Sequence, residues 1–100
     1  MPYIEREERL KLDNHIDEIV QAIINIDEVP NNPNDLSNHL GRINYCVSRI
    51  VGQLMGDPSY KKIAMITGVL ENIKQEFYRR IASPYEEYKI SANGDIKEYV

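Results

Sequence analysis

The stretch that decides the fold runs from Glu71 to Asp95, ENIKQEFYRRIASPYEEYKISANGD, in which an apolar helical row, a serine-proline break and a glycine stop follow one another. Ile73, Phe77 and Ile81 extend a row begun by Ile63, Ile66 and Leu70. Steps of three and four residues place all six on one face of an α-helix, so a third helix is predicted over 58–82. Ser83-Pro84-Tyr85-Glu86 then reads as a capping box. The serine hydroxyl is set to accept from the Glu86 amide, the Glu86 carboxylate to reach back, and Pro84 to occupy the first turn, which predicts a break and a short fourth helix over 84–92. Asn93-Gly94 supplies the left-handed residue that ends it, leaving 95–100 as a tail or an extended arm.

Working outward, Gly56-Asp57-Pro58 reads as a helix stop, an N-cap and a proline at the first helical position. Upstream of it Leu36, Leu40, Ile43, Val47, Ile50 and Leu54 make a second apolar row, predicting a helix over 35–55 with Asn34 or Asp35 as its cap. A connection this short forces the chain to reverse, so helices two and three are expected as an antiparallel hairpin. Gly52 and Gly68 sit in helix interiors, where glycine costs about 1 kcal/mol relative to alanine. Close backbone approach is the expected compensation. Val29-Pro30-Asn31-Asn32-Pro33-Asn34 disfavours helix and strand alike and reads as the one loop of any length. Before it, Leu12, Ile16, Ile19, Ile23 and Ile26, widened by Val20 and Ile24, predict a first helix over 5–27.

Three amphipathic helices and a short fourth give an all-α helical bundle, and a hundred residues suffice for one domain with its own core. The single cysteine, Cys46, excludes an internal disulfide and leaves too few thiolates for a zinc or iron-sulfur site. The N-terminus carries no apolar secretory run, and nowhere do about 18 apolar residues follow one another. A cytoplasmic protein without membrane partners is the expectation. Residues 1–35 carry three basic and nine acidic side chains, whereas 36–80 carry seven and three. That unevenness fits an acidic first helix lying beside a basic hairpin, while the formal net charge of −4 argues against nucleic acid as a partner.

The residues with chemical capacity fall into two groups. On the third helix Tyr60, Glu71, Lys74 and Tyr78 share a strip beside the apolar row, with Arg79 and Tyr85 close by, and Asn44 and Ser48 hold a comparable flank of the second helix. A glutamate, a lysine and phenols in a partly dry groove are able to bind a polar ligand or move a proton, although boundary tyrosines and an i,i+3 ion pair are also ordinary helix-edge structure. Arg42, Tyr45 and Arg49 lie opposite the apolar row of the second helix, a combination suited to a protein partner or to phosphate. His15 and His39 lack partners at metal-ligand spacing, the acidic residues of the first helix read as a solvated face, and Cys46 has no evident activating base. No catalytic residue, cofactor or metal is therefore expected.

Several words along the chain carry a resemblance: Met1-Pro2-Tyr3-Ile4, Asn44-Tyr45 with Ser48-Arg49, Pro58-Ser59-Tyr60, Gly68-Val69-Leu70-Glu71 with Lys74, and Glu76-Phe77-Tyr78-Arg79-Arg80. Pro84-Tyr85-Glu86, Lys89 and Asn93-Gly94-Asp95 complete it. On these the chain resembles a family of small uncharacterised proteins of phage and prokaryotic genomes, a domain of unknown function. The resemblance implies a whole, self-contained protein and roles such as virion accessory, regulator of a host protein or small assembly factor. It transfers no activity. The resulting expectation is a non-enzymatic interaction or assembly module, a homodimer because the broad stripe of the first helix serves two neighbours. The alternative is a polar-ligand or catalytic groove on Glu71, Lys74 and Tyr78, with nucleic-acid binding through the basic middle ranked last.

Overall fold

A computed structural model describes residues 4–27 and 35–100. Among them every regular element is helical and none is a strand, so the protein is all-α. The predicted loop over 29–34, the cap offered by Asn34 and the opening Met1-Pro2-Tyr3 lie outside the described residues. The chain divides into two units, Met1–Ile50 and Val51–Val100.

In the first unit α1 spans Arg6–Ile24. Glu5 precedes it in extended conformation without a side-chain cap, and Glu7 and Glu8 place negative charge in the first turn, where the helix dipole favours it. The helix ends short of the predicted Asp27 because Asn25, at φ −91° and ψ 6°, leaves helical geometry. Its last turn contains no basic residue. Arg42 supplies one from α2: its guanidinium donates to the Ile23 carbonyl at 3.2 Å and to the Asp27 carboxylate at 3.0 Å. One side chain thus satisfies a terminal carbonyl and complements the negative end of α1.

The second helical segment opens as a 3-10 turn, Leu36–Asn38, before α2 proper begins at Leu40 and runs to Met55. Asp35 holds that turn by accepting from the Ser37 hydroxyl at 2.6 Å and its amide at 3.2 Å. The same two bonds hold the Asp35 carboxyl below the usual carboxylate range.

In the second unit Gly56 ends α2 at φ 65°, a left-handed conformation that a side chain disfavours. The cap of α3 (Tyr60–Phe77) is Ser59 and not the predicted Asp57: Ser59 is extended and its hydroxyl accepts from the Lys62 amide at 3.2 Å. Pro58 consequently precedes the helix instead of opening it. Asp57 contributes through its carbonyl, which accepts from the Lys62 ammonium at 3.0 Å. The predicted close approach at Gly52 and Gly68 is not found, since a Cβ at either position would meet no atom within 4 Å.

The predicted break at Ser83 is absent. After α3 the backbone widens into a π-helical segment, Tyr78–Ala82, and continues directly into α4, Ser83–Asn93. Ser83 has helical dihedrals, φ −62° and ψ −48°, and so cannot adopt the extended geometry a capping box requires. Pro84 offers no amide to the carbonyl four residues back and its ring crowds that carbonyl. The chain absorbs this by lengthening its hydrogen bonds, with the Ser83 amide donating five residues back to the Tyr78 carbonyl. Gly94 ends α4 at φ 83°, its amide on the Ile90 carbonyl at 2.8 Å, and Lys97–Tyr99 adds a closing 3-10 turn.

Candidate functional site

In the second unit the polar strip of α3 is a set of local pairs along an exposed face. Glu71 accepts from the Gln75 amide at 3.1 Å and lies 3.9 Å from the Lys74 ammonium. Both partners are largely exposed, so the pair contributes a few tenths of a kcal/mol at most. Tyr60, at the first position of α3, is 90% exposed and joins none of them.

Tyr78 has the more specific arrangement. Its hydroxyl donates to the Glu86 carboxylate at 2.8 Å, and that bond, together with the carboxylate charge, raises its pKa above the ordinary tyrosine value. Residues eight apart lie about 80° round the axis of a regular α-helix. The π-helical segment retards the rotation between them and turns Glu86 beneath the phenol. The carboxylate that a capping box would have directed to the Ser83 amide is thereby committed to Tyr78.

Freed from capping, Ser83 lines a hollow of about 270 Å³ with Lys74, Gln75, Tyr78 and Arg79. Arg80 points elsewhere and pairs with Glu76 at 3.1 Å. On α4 the Lys89 ammonium stands 5.6 Å from the centre of the Tyr85 ring and 5.9 Å from that of Tyr88, within cation–π range. Tyr85 and Lys89 also border a second hollow of about 430 Å³ that Ile96 and Tyr99 close from the C-terminal turn.

In the first unit Ser48 donates to the Asn44 side-chain carbonyl at 3.3 Å, and Arg49 reaches the Tyr45 hydroxyl at 3.5 Å. Arg42 does not join them, because it is spent on α1, with His39 3.4 Å from its guanidinium. Beneath Arg42, Ile19, Ile23, Ile26 and Cys46 line an apolar groove of about 470 Å³ that Tyr45 borders.

The strip of the second unit therefore unites Lys74, Tyr78 and Arg79 at one hollow, leaves Glu71 at its flank and gives Tyr85 to another. Sequence reading missed three features: Arg42 as the cap of α1, Glu86 as the partner of Tyr78, and Ser83 as a free hydroxyl. The signal for the last two was present in Pro84, whose missing amide disrupts the ladder whichever way the chain responds. Among the described residues no three His, Cys, Asp or Glu side chains gather as metal ligands, and no helix is long and apolar enough to cross a membrane.

Fold and site together describe an all-α protein whose functional groups lie on open helix faces. The chain belongs to the family described as Domain of unknown function (DUF6899), which matches residues 1–96. No curated protein and no solved structure is significantly similar to it.

Proposed function

We propose that the protein is a non-enzymatic assembly module that works as a homodimer, its single-domain helical bundle being completed by a second copy. The observation that carries this reading is the exposure of the apolar rows. Among the described residues no side chain is buried, and Ile16, Ile50, Leu54, Ile63, Ile73 and Phe77 are each about half exposed or more. Fixing a residue's backbone costs roughly 1–2 kcal/mol, and helices of this length are marginal in water unless an apolar face is covered. Covering one Leu, Ile or Phe contributes about 1.5–3 kcal/mol, so the rows are the natural source of the missing stabilisation.

Charge favours a second copy as the occupant. The acidic residues of α1, Glu7, Glu8, Asp13, Asp17 and Glu18, complement the basic side chains Lys61 and Lys62, and a two-fold pairing of copies satisfies both surfaces twice. Tyr45 and Arg49 remain outward as a surface for a further protein partner. A cytoplasmic role in a phage or prokaryotic setting, as regulator or assembly factor, is part of the proposal, and genomic neighbourhood tests it.

The direct test is mass in solution. Light scattering on the full chain should give twice 11.6 kDa across the working concentration range, and Leu70→Asp should shift the population toward monomer. A strict monomer at high concentration with unchanged helicity overturns the dimer.

A further inference from the structure

We infer that the hollow beside the π-helical segment is a seat for a phosphate-class oxyanion, with the Arg79 guanidinium, the Lys74 ammonium and the Ser83 hydroxyl as its donors. The first support is convergence: the three side chains line one hollow of about 270 Å³, large enough for a phosphate group with part of what it is attached to. The second is availability. Among the described residues the side chains of Arg79 and Ser83 have no hydrogen-bond or ion-pair partner, and the Lys74 ammonium reaches its only one at 3.9 Å with 77% of its side chain exposed.

The remaining lining groups are turned to other tasks. Gln75 donates to Glu71 and Tyr78 donates to Glu86, and no carboxylate lines the hollow, which is left with a surplus of donors. That surplus is a product of Pro84: had the helix broken with a capping box, Ser83 would have bonded the Glu86 amide and Glu86 would have been drawn away from Tyr78. A guanidinium, an ammonium and a hydroxyl match the three terminal oxygens of a phosphate, each bond being charge-assisted. Open to water, the seat binds weakly and its affinity falls with salt. It is independent of self-association.

The test is a titration of the isotope-labelled full chain with inorganic phosphate, followed by amide and side-chain NMR, with acetate at matched ionic strength as a second arm. A saturable shift is expected at Arg79 and Ser83. Arg79→Gln should weaken it about tenfold, and Ser83→Ala should weaken it to a lesser extent. Arg80→Gln removes the same charge from a residue paired with Glu76 outside the hollow, and should leave the affinity within about twofold. Shifts that never saturate, or equal losses in Arg79→Gln and Arg80→Gln, overturn the seat as a diffuse charge effect. Equal affinity for acetate overturns the phosphate assignment in favour of an acidic peptide.

Discussion

Arg42 and Tyr78 show how single side chains take on work that their own helices do not suggest. Arg42 belongs to α2 by sequence, yet its bonds to Ile23 and Asp27 serve the end of α1. Arg42→Met keeps the stem and removes both bonds, and should lower stability by about 1 kcal/mol, the value being held down by solvent around the half-exposed Asp27. Chemical denaturation of the pair checks it. At Tyr78 the folded-state pKa is raised because the phenol donates to Glu86. Stability from that bond is therefore fully present below the unfolded tyrosine pKa and is lost as pH rises through the folded value. Glu86→Gln should return the phenol titration toward its ordinary midpoint, as read by ultraviolet absorbance on the alkaline side. Neither role was legible beforehand. Helical projection places Arg42 with Tyr45 and Arg49 opposite the apolar row of α2, but it assigns only a face, and a long side chain reaches past it.

At the scale of the element, the run from Tyr60 to Asn93 is the informative case. Periodicity located its apolar row and Gly94 its end, whereas Ser83-Pro84-Tyr85-Glu86 pointed to a break where the chain instead passes through a π-helical segment. Two responses to a missing amide compete there. A break exposes several terminal carbonyls and amides that caps must satisfy, while a π segment keeps most of the ladder and lengthens a few bonds. Continuity wins in this chain. Pro84→Ala restores the amide and should let Tyr78–Ala82 contract toward α-helix, raising thermal stability by roughly 1–3 kcal/mol. Because contraction restores the rotation between residues 78 and 86, the Tyr78 titration should move down in the same variant. An unchanged phenol midpoint alongside raised stability counts against the π segment as the cause of the pairing. The cap of α3 carries the same lesson on a smaller scale: Asp57 and Ser59 are both competent residue types, and the extended backbone at Ser59 decides between them.

For the whole molecule the exposed rows set the expectation that folding and association are linked. If a second copy covers them, the thermal midpoint rises with protein concentration, and calorimetry over a hundredfold range should show it, whereas a midpoint independent of concentration removes the linkage. What the sequence determined by itself is the all-α class, the apolar row of each helix and the glycine that ends α4. These follow from steps of three and four residues and from one left-handed position, which are properties of neighbours in the chain. Only the folded structure decided where Arg42 is spent, which group Tyr78 meets and that Ser83 stands free. Those outcomes depend on reach across elements and on the small change of rotation that one proline imposes on a helix, and residue spacing fixes neither.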